Sequence, residues 1–202
     1  IRGVKELHGC SYAIIPDMIE AGSFMVAAAA TGGSVRIGNV IPKHLESITA
    51  KLLEVGVDVE EFDEAVHVTS TGKIRRTSVK TLPYPGFPTD CQALIMAMAA
   101  VTDGTTVICE NIFENRFRHA GELNRMGADI SVHDKIAVVN GVRRLQGASV
   151  CAHDLRAGAA LTVAGLCAEG CTTVENTNFI DRGYEALEKS LNYIGAKIKR
   201  ID

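Results

Sequence analysis

The sequence lacks any apolar run long enough to span a bilayer. Its longest, residues 93–101, is about half the ~20 residues a membrane helix needs. It opens on no secretory or transit signal, so the cytoplasm is the expected compartment. It also lacks a block of charge of one sign. Twenty-one Lys+Arg stand against 24 Asp+Glu, a net charge of −3. That balance argues against broad electrostatic binding to nucleic acid or to an anionic membrane, so any anion site must be local. The six cysteines form no CxxC and meet no His-rich cluster, which argues against structural zinc. They sit largely in apolar runs and read as reduced residues. No cofactor or metal is expected, and the sequence does not reveal an oligomeric state. An initiating Met is missing too: the chain starts at Ile1, directly in strand-like Val-Lys-Glu-Leu, and reads as a piece of a longer protein.

What the sequence has is one pattern three times, over residues 11–72, 76–142 and 147–202. Each unit reads as a strand, an apolar helix, a strand, an amphipathic helix, a Gly, then closing strand or strands. The first strands are expected at 11–15, 78–81 and 149–152, and the apolar helices at 17–30, 89–102 and 155–168. The next strands fall at 34–38, 105–109 and 172–175, with amphipathic helices at 44–55, 117–126 and 183–193. Closing strands follow at 58–62 with 65–70, at 129–132 with 136–140, and at 197–201. The joints match best: Gly127-Ala128-Asp129-Ile130 recurs as Gly195-Ala196-Lys197-Ile198 and loosely as Gly56-Val57-Asp58-Val59, and Glu110-Asn111 recurs as Glu175-Asn176. A Gly after each amphipathic helix fits a left-handed C-cap.

The amphipathic helices carry one apolar stripe each, such as Leu45, Ile48 and Leu52, and should pack on a sheet. The other three are apolar on nearly every side and must be enclosed. The expected fold is α/β, one lobe of three βαβαββ-type units, with buried parallel helices wrapped by sheets and outer helices. Enclosed helices show solvent only their ends, where the sequence places Asp17, Thr89-Asp90 and Asp154-Leu155-Arg156. Helix N-termini attract anions through unpaired N–H groups and the helix dipole. Taken singly, these residues also read as ordinary caps. Glu114-Asn115-Arg116 and Asp181-Arg182 precede the outer helices. One carboxylate and three arginines at corresponding joints suggest a polyanion site with one potential base.

Four ordered motifs then carry a resemblance: Phe87-Pro88-Thr89-Asp90-Cys91-Gln92-Ala93, Glu114-Asn115-Arg116-Phe117, Asp154-Leu155-Arg156-Ala157 and Asp181-Arg182-Gly183-Tyr184-Glu185. Together, from about Pro16 onward, they resemble the UDP-N-acetylglucosamine 1-carboxyvinyltransferase family, and this chain resembles its C-terminal half. The resemblance implies a two-lobe enzyme whose substrates are phosphoenolpyruvate and UDP-N-acetylglucosamine, with this chain silent on its own. It implies that Asp90 lies beside the reacting hydroxyl as a general base and that Arg116, Arg156 and Arg182 surround the reacting anions. It also implies substrate contacts at Asp90, Ile112, Phe113, Asp154 and Leu155. Met18 departs from the family's usual Pro-Asp-Arg-Ile-Glu, and Cys91 is not the family's reactive loop position. The sister enzyme acting on shikimate 3-phosphate, and a non-catalytic lobe of the same fold, are the competing readings.

Overall fold

The computed structural model describes residues 1–201; Asp202, the end of the expected third unit, lies outside the described residues. The first unit contains α1 (Met18–Thr31), β1 (Ser34–Gly38), α2 (Pro42–Glu54), β2 (Asp58–Phe62) and β3 (Ala65–Thr69). The second contains β4 (Ser78–Lys80), a 3-10 turn (Thr89–Cys91), α3 (Gln92–Ala99), β5 (Thr105–Cys109), α4 (His119–Arg125), β6 (Asp129–His133) and β7 (Ile136–Asn140). The third contains β8 (Leu145–Gln146), β9 (Ser149–Cys151), α5 (Leu155–Cys167), β10 (Ala168–Glu169), β11 (Thr173–Glu175), α6 (Asn178–Asp181) and α7 (Leu187–Tyr193).

The apolar helices form the centre as expected. α1, α3 and α5 touch one another pairwise, and all eight residues of α3 are buried. Their Ala-rich surfaces let the backbones approach closely. β1 pairs antiparallel with β3, which pairs antiparallel with β2. In the second unit the order is β4-β5-β7-β6, parallel at β4–β5 and antiparallel elsewhere. The third unit repeats only the parallel portion, β9 with β11 and β8 with β10.

The repeat holds at the level of single hydrogen bonds. Gly56, Gly127 and Gly195 all have φ near +90 to +100° (92, 88 and 102°), a region closed to most side chains. The next residue in each unit donates its N–H back into the preceding helix: Val57 to Leu52, Ala128 to Leu123 and Ala196 to Leu191, at 3.0–3.1 Å. Asn124 clasps Ile130 through its side-chain oxygen and nitrogen, and Asn192 clasps Ile198 the same way. Leu53 occupies that position in the first unit and cannot form the clasp.

Three expectations fail, each because a strand needs a partner and a helix needs a surface. Residues 11–15 are not a strand. Residues 1–17 carry no regular structure and Ile14 and Tyr12 are exposed, since nothing among the described residues pairs with them as β5 pairs with β4. Residues 197–201 are not a strand either, because no hairpin mate equivalent to β7 stands beside them among the described residues. The outer helix expected at 183–193 is broken: α6 ends before Arg182, and α7 starts only after Ala186, whose φ is +46°. Gly183 lies in that break because the backbone presses on α5; a Cβ there would come within 2.5 Å of the Leu155 side chain.

Candidate functional site at the starts of the buried helices

Two of the three helix starts are capped in the ordinary way. Asp17 accepts from the Ile19 N–H at 2.7 Å, and Asp154 accepts from the Arg156 and Ala157 N–H groups at 2.9 and 2.8 Å. Asp90 lies inside the turn Thr89–Cys91, and its side chain accepts from no backbone N–H among the described residues. Its carboxylate instead receives Arg116 on Oδ1 at 2.7 Å and Arg156 on Oδ2 at 3.0 Å. The simple capping reading therefore holds for Asp17 and Asp154 and fails for Asp90.

The geometry gathers residues from separate elements. Asp90 precedes α3, Arg116 lies in the loop before α4, and Arg156 belongs to the first turn of α5. α1 packs against the turn that carries Asp90, with Gly22 lying against the Cys91 sulfur. Side-chain exposure is 37% for Asp90, 25% for Arg116 and 14% for Arg156, so the carboxylate is reachable while Arg156 is largely shielded. Burial works against the Arg156 charge, but the charge of Asp90, then the Tyr184 hydroxyl, outweigh it and raise its pKa. Each Asp90 oxygen spends one acceptor position on an arginine and keeps lone pairs for a further proton donor.

The remaining expected residues lie around this centre in different ways. The Phe113 ring faces the Arg116 guanidinium with 5.3 Å from Cζ to the ring centroid. Phe113 and Ile112 are both exposed. Leu155 sits under the Gly183 backbone, which fixes Arg182 close to the start of α5. Arg182 itself is exposed and joins no ion pair among the described residues, so it is a neighbour of the Asp90 centre and not part of its charge pair. Its companion Asp181 is held instead by Arg200. Asp154 uses one oxygen as a cap, which leaves the other for any further contact.

Cys91 is excluded as a nucleophile. It is fully buried, and burial pushes its thiol up to about 12, far from the thiolate that reacts at neutral pH. All six cysteines are free. No group of three or more His, Cys, Asp or Glu among the described residues could hold a metal ion. No helix among them is long and apolar enough to cross a membrane.

Two structural residues escaped the sequence reading. Glu110 is buried, and its carboxylate accepts from the Thr81 and Thr89 hydroxyls and from the Ile112 and Phe113 N–H groups, at 2.8–3.2 Å. It thereby ties the loop carrying Arg116 to the residue before Asp90. Recurrence of Glu110-Asn111 as Glu175-Asn176 was the available signal, but it does not separate a buried acid from an exposed one. The second is His119, buried at the first position of α4, with Nε2 unpartnered among the described residues. Burial lowers it to about 4 against the pull of Asp154, so the ring is neutral at pH 7. A cleft of about 470 Å³ has Phe113 and Arg116 on its wall together with Glu110, Glu114, Asp134 and Lys135, but not Asp90 or Arg156. Its lining mixes acids with Arg116 and Lys135, whereas the Asp90 centre pairs one reachable carboxylate with two arginines and is the better candidate on chemistry.

Comparison with known proteins identifies the family. A family model described as EPSP synthase (3-phosphoshikimate 1-carboxyvinyltransferase) matches residues 1–191. The chain is 59% identical to UDP-N-acetylglucosamine 1-carboxyvinyltransferase of Desulfofundulus thermocisternus, over 99% of this chain and 83% of that protein. It is 52% identical to the enzyme of the same name from Clostridium botulinum (strain ATCC 19397 / Type A), spanning 100% of this chain and 48% of that protein. The chain thus spans about half the length of most of the curated relatives it matches. The crystal structure of the enolpyruvyl transferase NikO from Streptomyces tendae superposes with TM-score 0.82 at 30% identity, covering 92% of this chain and 44% of that one. An EPSP synthase from Acinetobacter baumannii, at TM-score 0.74 and 22% identity over 94% of this chain and 48% of that one, shares the fold. The chain belongs to the EPSP synthase family of carboxyvinyltransferases.

Proposed function

We propose that this chain is the C-terminal lobe of a two-lobe cytoplasmic transferase that moves the carboxyvinyl group of phosphoenolpyruvate to the 3′-hydroxyl of UDP-N-acetylglucosamine, the step that commits the sugar to peptidoglycan. The observation that carries the reading is Asp90, set at a helix start and held between Arg116 and Arg156. Relatives named for this activity, at 48–59% identity along nearly the whole chain, support the choice of acceptor.

In the proposed reaction the sugar hydroxyl adds to C2 of phosphoenolpyruvate while C3 gains a proton, giving a tetrahedral phospho-ketal. Loss of a C3 proton and of phosphate then leaves the enol ether. Asp90 takes the hydroxyl proton on a lone pair not engaged by arginine. Arg116, Arg156 and Arg182 offset the carboxylate and phosphate charges; guanidinium suits this because it remains charged and binds oxyanions in a fork. Fixed charges of this kind stabilise charge that develops along the ketal steps without reorganising. Ile112, Phe113, Asp154 and Leu155 border the substrate, with Glu110 holding the first two in place. Closure by the other lobe excludes water.

Shikimate 3-phosphate is the alternative acceptor, favoured only by the description of the matching family model. The Phe87-Pro88-Thr89-Asp90 and Asp181-Arg182-Gly183-Tyr184-Glu185 segments favour the UDP-sugar. The full-length protein is expected to release phosphate from phosphoenolpyruvate with UDP-N-acetylglucosamine and not with shikimate 3-phosphate. The opposite preference would overturn the assignment.

A further inference from the structure

Two loops surround the second unit's site residues, and both meet at one buried acid. The first covers residues 82–88, between β4 and the turn that carries Asp90; apart from a bridge between Thr81 and Phe87 it has no strand partner. The second covers residues 111–118, between β5 and α4, and carries Ile112, Phe113 and Arg116. Glu110 stands buried at their junction, and its two oxygens serve different segments. Oε1 accepts from the Ile112 N–H at 2.8 Å, the Phe113 N–H at 3.2 Å and the Thr81 hydroxyl at 2.8 Å. Oε2 accepts from the Thr89 hydroxyl at 2.8 Å. Thr81 is itself pinned to the second loop: its hydroxyl oxygen accepts from the Asn111 N–H at 2.9 Å and its carbonyl from the Asn111 side chain at 3.3 Å. A carboxylate suits such a junction because it offers acceptors only, with room for about four donors. Glu110 thus joins both ends of the first loop, Thr81 and Thr89, to the beginning of the second.

We infer that Glu110 is a positioning residue with two separable effects, one for each oxygen. Through Oε2 and Thr89 it sets the peptide that carries Asp90, and so governs how the base meets the acceptor hydroxyl. Through Oε1, with Thr81 as its brace, it sets the N–H groups of Ile112 and Phe113, and so governs how tightly the acceptor is held. The first effect matters because the Asp90 side chain accepts from no backbone N–H among the described residues. Its direction depends on Arg116, on Arg156 and on the peptide beneath it, and Thr89 fixes that peptide. The inference rests on the proposed function, because it needs Asp90 and the 112–113 segment to meet the acceptor.

Steady-state kinetics of the full-length protein, with rates taken per folded molecule, separates the two effects. Thr89→Val removes the donor to Oε2. Its kcat should fall roughly tenfold as the base is displaced, with the KM for UDP-N-acetylglucosamine within about threefold of wild type. Thr81→Val removes a donor to Oε1. Its KM for UDP-N-acetylglucosamine should rise roughly tenfold, with kcat within about threefold of wild type. Thr89→Ser and Thr81→Ser keep the hydroxyls and should return each parameter to within about threefold of wild type. A purely structural acid would give both valine variants one and the same profile. Matching profiles, no change in either valine variant, or serine variants as impaired as the valine ones would overturn the positioning role. Should one valine variant not fold, the other decides alone, by whether it moves its own parameter and spares the other. If the wild type itself does not turn over UDP-N-acetylglucosamine, the failure lies in the proposed function instead.

Discussion

The second and third units share joints and differ in nearly everything that rests on those joints. Both end the outer helix on a positive-φ glycine, both clasp the next segment with an asparagine, and both run a parallel strand pair beside a buried helix. Yet the second unit builds a four-stranded sheet and the third builds two-stranded fragments with a broken outer helix. The difference teaches that the caps and the enclosed helix define the unit, and that the sheet follows when partners are present. The site depends on the first set: Asp90, Arg156 and Asp17 all lie at starts of buried helices, and none lies on a strand.

The equivalent acids Glu110 and Glu175 offer the strongest way to break that comparison. Glu110 is buried and serves four donors, whereas Glu175 is exposed and accepts from Ser149 and Cys151. Glu110→Ala should cost roughly 3–4 kcal/mol in denaturant unfolding, because it strands two hydroxyls and two N–H groups. Glu175→Ala should cost under about 0.5 kcal/mol, as surface changes usually do. Equal costs would show that the two joints are interchangeable and that Glu110 does not anchor the Arg116 loop.

A smaller effect comes from His119. Ile48 and Leu187 stand at the corresponding positions of the other units and are buried there too, so histidine is the exception. Its folded pKa lies near 4, below the ordinary 6.5. The neutral ring therefore contributes stability that is full above pH 6.5 and declines as pH falls toward 4, by at most about 3 kcal/mol. Unfolding free energies measured between pH 7 and 4.5 should show this decline in the wild type and a shallower slope in His119→Leu. Parallel slopes would remove His119 as its source.

Much of this was legible in the sequence because it is local. A helix apolar on every side must be enclosed, and a glycine four residues past the last apolar residue of an amphipathic stripe ends that helix, so α1, α3 and α5 and the three joints could be read directly. Strand 11–15 could not, since alternation says nothing about whether a partner is at hand. Motif order placed Asp90, Arg116, Arg156 and Arg182 together; the structure joins the first three through two ion pairs, while Arg182 joins no ion pair among the described residues. The burial of Glu110 and its contacts with Thr81 and Thr89 were illegible for the same reason as the missing strands. Each is decided by residues far away in the chain, and no spacing rule reports it.

The gathering of two arginines on one acid at the start of a buried helix is tested most directly by Asp90→Ala in the full-length protein, with phosphate release from phosphoenolpyruvate as the readout. A loss of at least about a hundredfold, with unfolding still cooperative, is the predicted result. Release at the wild-type rate from a folded variant would mean that Asp90 is merely an ion-pair partner of its two arginines.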